Sequence, residues 1–295
     1  MEPKYILIAL LIVIAVVFHA FWYLTERRRR HDGPLTPRPI ALLVAFIANF
    51  FDTLGIGSFA TTTSMSKLWG VMRDEKIPGT LNVGYVMATV VQAVIFMTII
   101  EVDFVTLISI IGAAVLGAFL GAGVVAGFNR RQVQIGMGTA LLVASALMVL
   151  SMSGQGPAPG EALGLSGAKL GIAVGISMVL GALMMLGIGF YGPCLIMISL
   201  LGMDPRVSYP IMMGACAFLM PSGSIQFVRK GSYDLRTAIA FLIAGPLAVL
   251  LAAPLVERLS ITYIRYLVLV VVLYTAVRML LSAAQEKAAT ATQRA

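Results

Sequence analysis

The chain has 295 residues, of which 59% are hydrophobic and only 12% are charged, and its mean hydropathy is +0.96. A soluble domain carries about 25% charged residues, so the composition excludes a water-soluble fold and predicts an all-α integral membrane protein. The net charge of +8 does not indicate nucleic-acid binding, because most basic residues lie between apolar segments, as in cytoplasmic loops. Two cysteines within apolar runs exclude a disulfide framework.

The first apolar stretch covers residues 5–24 and predicts a transmembrane helix. Four consecutive arginines at positions 27–30 follow it. A cleaved signal peptide carries its positive charges before the apolar region, so this stretch is expected to be an uncleaved helix. The same charges place its N-terminus outside and the arginines inside.

Eight further apolar runs follow, and two of them are interrupted near the middle by a Gly-Ile-Gly sequence. The first interruption lies at 55–57 and the second at 187–189. The eight runs cover approximately residues 40–66, 80–100, 104–127, 133–152, 170–201, 207–228, 235–256 and 261–281.

An internal repeat relates the two interrupted runs. A shift of 132 residues superimposes Gly55 on Gly187, Gly57 on Gly189, Gly70 on Gly202 and Pro78 on Pro210. The repeat predicts two copies of one unit after the first helix. The expected segments are an N-terminal helix and basic linker (1–37), a first repeat (38–153), an external loop (154–166), a second repeat (167–283) and a cytoplasmic tail (284–295).

The loop charges indicate how the interrupted runs lie in the membrane. If the first run crossed once, Lys67, Arg73 and Lys76 would lie outside, against the positive-inside bias. Each interrupted run is therefore predicted to be a re-entrant hairpin, followed by three transmembrane helices. Because three crossings are an odd number, the copies form inverted repeats. Such repeats are typical of secondary transporters, in which the breaks mark a substrate site near the midplane.

The two breaks predict a binding site for an anion. A helix that begins within the membrane presents unpaired N–H groups and the positive end of its dipole, and two such ends would attract an anion. Pro193 marks the expected start of the second half-helix. The alternative is a pair of kinked helices whose glycines serve only close packing. The expected substrate-binding residues are Gly55, Gly57, Ser58, Thr61, Thr62, Asn82, Gly189, Tyr191, Gly192, Pro193 and Cys194.

Asp52 lies just before the first break, one helical turn after Asn49. A carboxylate within the membrane is costly, which makes it a functional candidate. Asp52 is the candidate for proton coupling, and the alternatives are that it orients the loop backbone or pairs with a nearby N–H group. Gln92 and Gln226 are interpreted as contacts between helices.

The residues around both breaks resemble the signatures of the sulfite exporter TauE/SafE family of membrane permeases. The first signature lies at 47–59 (IANFFDTLGIGSF) and continues at 77–82 (IPGTLN), and the second lies at 186–193 (LGIGFYGP). The resemblance covers about residues 38–283. It implies transport, usually export, of small sulfur-containing anions such as sulfite, sulfoacetate or other organosulfonates. The residues themselves indicate only an anion.

We therefore predict a secondary transporter that works by alternating access in the cell (inner) membrane, with a cytoplasmic C-terminus. Its expected partners are the small sulfur-containing anion and the lipid bilayer. No cofactor, metal or enzyme activity is expected, because neither histidine lies in the repeats and intramembrane carboxylates are nearly absent besides Asp52. An anion channel is the rival, since opposed re-entrant hairpins also build channels. A homo-oligomer is compatible with the sequence, which leaves the coupling ion and direction open.

Replacing Asp52 by Asn tests the coupling role. The amide cannot exchange a proton, so we expect anion flux to respond more weakly to an imposed pH gradient in Asp52→Asn than in the wild type. Flux into proteoliposomes with and without the gradient measures this response. Unchanged coupling in the variant removes Asp52 from the mechanism.

Overall fold

A computed structural model describes residues 3–29, 33–124, 130–152, 160–185, 190–258 and 260–292. Within these ranges the regular structure is helical, apart from one isolated bridge between Ala162 and Met203. Short 3-10 helices lie at Asp74–Lys76 and Pro205–Val207. The α-helices are α1 (Pro3–Arg27), α2 (Pro39–Thr53), α3 (Ser58–Trp69), α4 (Ile77–Gly84), α5 (Val86–Ile99), α6 (Phe104–Val124), α7 (Arg130–Met152), α8 (Gly167–Met185), α9 (Tyr191–Leu200), α10 (Ser208–Lys230), α11 (Leu235–Arg258) and α12 (Ile261–Thr292).

Several helices are long and apolar enough to cross a bilayer. In the part of the chain that the structure describes, α1, α8, α10 and α11 meet this condition by length and composition, and the bent pair α4 and α5 would add a fifth crossing. The all-α membrane fold predicted from the composition is therefore confirmed. The inverted repeats and the re-entrant hairpins stay predictions.

The run over 80–100, expected as one continuous span, is bent by 45° between α4 and α5. Gly84 ends α4 and lies so close to α11 that an added Cβ would stand 3.1 Å from the Cα atom of Ala238. The next residue, Tyr85, stacks on Phe241 with 4.5 Å between the ring centroids. Close packing against α11 thus accompanies the bend, and periodicity along the sequence does not reveal such a contact.

The first predicted break is present between α2 and α3. Gly55 and Gly57 have φ angles of +99° and +84°, which side chains of L-residues rarely adopt. In the second half α8 ends at Met185 and α9 begins at Tyr191. The expectation that this half-helix begins at Pro193 is wrong by two residues. Proline is tolerated there because the first-turn N–H groups have no partner within the helix.

We call α2–α7 the first half and α8–α12 the second half. In chain order α2, α3, the bent pair α4 and α5, α6 and α7 correspond to α8, α9, α10, α11 and α12. The contacts between these helices have the same pattern for both halves. α6 packs against α8, α11 packs against α2, and α7 packs against α12. Exchanging each helix for its counterpart leaves this set of contacts unchanged. Small residues permit the close approach: an added Cβ at Gly181 would meet the carbonyl oxygen of Ala114 at 2.0 Å, and one at Gly245 would lie 3.3 Å from Nδ2 of Asn49.

An aspartate stands directly before each of the helices α6 and α11. The N–H of Thr106 donates to Oδ1 of Asp103 at 2.8 Å, and the N–H of Thr237 donates to Oδ1 of Asp234 at 2.8 Å. Each carboxylate satisfies an N–H group that has no partner within the helix and lies at the positive end of the helix dipole. α6 and α11 therefore have the same kind of N-cap.

The first helix is fastened to the rest of the fold. α1 packs against α5 and α10, and the indole N–H of Trp22 donates to the hydroxyl of Tyr233 at 2.8 Å. After α1, Nη2 of Arg29 donates to the carbonyl oxygens of Val228 and Arg229 at 2.6 and 2.9 Å. A cation at the C-terminus of α10 also interacts favourably with its dipole.

The contact of α6 with α8 can be tested at two glycines of one helix. An added Cβ at Gly117 would lie 1.8 Å from the carbonyl oxygen of Met178, whereas nothing lies within 4 Å of one at Gly112. We expect Gly117→Ala to lower the free energy of unfolding by about 1–3 kcal/mol, since the helices must separate. Gly112→Ala is the control and should be neutral or stabilising. Equal melting temperatures of the two variants in detergent would contradict this packing.

Candidate functional site

The first residues of α3 and α9, which belong to different halves, line one cavity of about 330 Å³. Apolar walls come from both halves and include Phe59, Leu81, Phe190 and Met220. The polar and charged side chains that line the cavity, among the residues described, are Asp52, Ser58, Thr63, Lys67, Thr89, Gln134, Tyr191, Tyr274, Thr275, Arg278 and Ser282.

Asp52 is buried, with 3% of its surface exposed, and it connects four helices. The backbone N–H of Ser58 donates to Oδ1. Nε2 of Gln92 donates to Oδ2 at 2.8 Å, and the Tyr191 hydroxyl lies 3.5 Å from the same oxygen. Asp52 therefore links α2 with the start of α3, with α5 and with the start of α9. This geometry agrees with the alternative that Asp52 orients the backbone of the break. Its coupling role stays a prediction.

Gln92 holds the Asp52 carboxylate in place. It is fully buried, and Nε2 also lies 3.0 Å from the hydroxyl oxygen of Thr53. Its Oε1 lies 3.4 Å from the Tyr191 hydroxyl. Gln92 thus joins α5 to the end of α2 and to the start of α9, as expected of a contact between helices. Gln226, given the same interpretation, is exposed.

Five of the residues predicted from the sequence come together in this cavity. Gly57 and Ser58 line it from the first break, and Asp52 stands beside them. Tyr191 and Gly192 line it from the start of α9. An added Cβ at Gly192 would lie 3.0 Å from the side chain of Thr275 on α12, so this glycine permits close approach of α9 and α12.

The other predicted residues are not among the described residues that line the cavity. The Thr61 hydroxyl donates to the carbonyl oxygen of Gly57 at 3.1 Å, and the Thr62 hydroxyl lies 2.8 Å from the hydroxyl of Tyr85. The amide of Asn82 donates to the carbonyl oxygen of Pro78 at 2.9 Å. Gly55, Pro193 and Cys194 are buried beside the cavity lining, and Gly189 lies outside the described residues.

Two cationic side chains in the cavity were not among the predicted site residues. Lys67 of α3 was considered only for topology, and Arg278 of α12 was missed. Nη2 of Arg278 donates to the hydroxyl of Ser64, which joins α12 to α3. The signal for Arg278 was present in the sequence, because it is an ionisable residue within an apolar run.

Gln134 of α7 is a further polar residue that the sequence analysis missed. It is 4% exposed, and its Nε2 donates to the hydroxyl of Ser282 at 3.1 Å. Its Oε1 has no hydrogen-bond partner in the described part of the chain. Buried polar atoms are nearly always paired, so this group indicates that a polar solute or water completes the cavity.

The cavity has the chemistry of an anion site. Two cations, several hydroxyls and two helix N-termini surround its volume, and all of these favour a negatively charged solute. Among the residues described, no group of three histidine, cysteine, aspartate or glutamate side chains is arranged to hold a metal ion.

Comparison with known proteins gives one family. A family model described as Sulfite exporter TauE/SafE matches residues 2–148 and residues 102–279. The matches begin at residue 2 and so include the whole first helix, which the motif resemblance had left outside. No curated protein and no solved structure matches the chain.

The support that Gln92 gives to Asp52 can be measured. Gln92→Leu removes a hydrogen bond to a buried carboxylate, so we expect the free energy of unfolding to fall by about 1.5–3 kcal/mol. Gln226→Leu changes an exposed glutamine of the same type and should leave stability nearly unchanged. Thermal unfolding in detergent compares the two. Equal effects would show that the Gln92 contact contributes nothing specific.

Proposed function

The chain belongs to the sulfite exporter TauE/SafE family, and on this premise we propose that it is a secondary transporter of a small sulfur-containing anion. The family consists of membrane transporters, and the apolar helices agree with a multi-pass membrane protein. One observation carries the proposal: the N-termini of α3 and α9 line the same cavity as Lys67 and Arg278.

A sulfite or sulfonate group suits this cavity. Its oxygens accept several hydrogen bonds at once, and guanidinium and ammonium groups bind such oxyanions strongly. Hydroxyls of Ser58, Thr63 and Thr275 line the cavity beside the two cations. The geometry supports an oxyanion, and family membership supports the sulfur. The proposed substrates are sulfite, sulfoacetate and other organosulfonates.

The proposed mechanism is alternating access around this cavity. We take α2–α3 and α8–α9 as the two re-entrant hairpins and the halves as inverted repeats. The matching contacts of α6 with α8 and of α11 with α2 support this arrangement. In the cell membrane the N-terminus would lie outside and the C-terminus in the cytoplasm, which follows the positive-inside bias. Asp52 is the proposed coupling group.

A thermal-shift panel on detergent-purified protein tests the substrate class. We expect sulfite, sulfoacetate, taurine or thiosulfate to raise the melting temperature with concentration, because a ligand of the folded state stabilises it. Acetate and chloride at matched ionic strength should not. Arg278→Gln should weaken binding about tenfold, since a charge-assisted bond is lost. Arg258→Gln, an exposed arginine outside the cavity lining, is the matched control.

Two results would contradict the proposal. Equal shifts for all anions, or equal binding by Arg278→Gln and Arg258→Gln, would remove the cavity as a selective anion site. Flux in proteoliposomes separates a carrier from a channel, because a carrier saturates at low rates. Single-channel currents would replace the carrier by the anion channel.

A further inference from the structure

We propose that the Asp52 carboxylate occupies the place of the substrate's anionic group when the carrier is empty, so that substrate binds only as Asp52 takes up a proton. This inference rests on the proposed anion site and adds its coupling rule. One proton would accompany each monovalent anion, and the pair would move without net charge.

The geometry of Asp52 is that of a bound oxyanion. Its Oδ1 accepts the N–H of Ser58, the first residue of α3, which is where an anion binds to a helix N-terminus. Both residues line the cavity. An anion in the cavity can therefore reach this N–H group only by displacing the carboxylate.

The surrounding groups are donors that suit a negative charge. Nε2 of Gln92 donates to Oδ2 of Asp52 at 2.8 Å, and the Tyr191 hydroxyl lies 3.5 Å from that oxygen. The same N–H and O–H groups are what a sulfonate requires. Two anionic groups at this buried position would repel each other strongly, because the local dielectric constant is low. The site therefore holds one negative charge at a time.

A second observation is a buried polar atom in the cavity lining that a polar solute or water would complete. Gln134 lines the cavity, is 4% exposed and has an Oε1 atom without a partner among the residues described. Asp52 accepts the first N–H group of α3, whereas the Oε1 atom of Gln134 accepts no hydrogen bond from the described residues. The cavity lining thus contains both the Asp52 carboxylate and an unpaired amide oxygen of Gln134.

The proton has one acceptor in this cavity, since Asp52 is the only carboxylate among its described lining residues. α11, which packs against α2, carries titratable side chains only in its first and last turns, at Arg236, Glu257 and Arg258. Among the described residues, the titratable groups that face Asp52 or line the cavity with it are Lys67, Tyr85, Tyr191, Cys216, Tyr274 and Arg278.

The proton balance of the exchange is simple. In the empty carrier Asp52 is ionised and accepts the Ser58 N–H bond. One proton from the aqueous phase neutralises Asp52, whose neutral acid accepts that bond more weakly, and one anion takes its place. No covalent bond of the substrate forms or breaks. Binding of the anion and of the proton is therefore linked one to one.

Methanesulfonate is the probe, because this strong acid keeps its charge over the whole range from about pH 5.5 to about pH 8.5. Its Kd for the full-length protein is measured by calorimetry in detergent. For the wild type we expect the Kd to increase about tenfold per pH unit on the alkaline side, as linkage to one proton requires. For Asp52→Asn we expect a Kd independent of pH and close to the acidic limit of the wild type.

Two further variants make the result specific. Asp234→Asn removes a helix-capping carboxylate outside the cavity lining and should keep the wild-type pH dependence. Gln92→Leu keeps Asp52 but removes a donor to its charged form. It should move the midpoint of the pH dependence to higher pH by about one unit or more. This variant decides the matter if Asp52→Asn does not fold.

The outcomes separate this inference from the proposed function. A tenfold slope retained by Asp52→Asn, or an unmoved midpoint in Gln92→Leu, overturns the coupling rule and leaves an anion transporter. Absence of methanesulfonate binding to the wild type at every pH, together with no thermal shift by any sulfur oxyanion, overturns the proposed anion site and the coupling rule with it.

Discussion

The hydrogen bond from the Ser58 N–H to Asp52 is the interaction on which the site depends. The first N–H groups of a helix such as α3 have no partner within the helix. Asp52 satisfies the first of them from the preceding helix. A buried carboxylate then needs its own donors, which come from Gln92 of α5 and Tyr191 of α9. The hydrogen bonds of Asp52 thereby join the break after α2 to α5 of the first half and to α9 of the second half.

The packing that supports this network is built from small residues at helix crossings. Gly181 lets α8 approach α6, and Gly84 lets α4 approach α11. Membrane helices gain little from burying apolar groups against one another, so close contact of backbones is what holds them. α9 follows α8, and α3 follows α2, which packs against α11. These crossings therefore help to position the starts of α9 and α3, which line the cavity.

The charges that line the cavity bear on the proposed anion site, because a carboxylate lies among them. Asp52 is engaged by the N-terminus of α3, while Lys67 and Arg278 stand along the same cavity. A helix N-terminus carries about half a positive charge. The positive groups therefore outweigh the single carboxylate, which is the charge balance that the proposed oxyanion site requires. Membership of the TauE/SafE family agrees with this balance.

The sequence by itself determined the membrane class and the break at 55–57, and it marked Asp52 as a functional candidate. Each of these follows from local chemistry: hydropathy, glycine conformation and the cost of a charge in lipid. Only the tertiary structure decided which hydroxyls and amides meet the cavity. Thr61, Thr62 and Thr63 occupy successive positions of α3, yet only Thr63 lines it, while Thr62 bonds to Tyr85. The facing helices fix that choice, and residues far apart in the chain supply them.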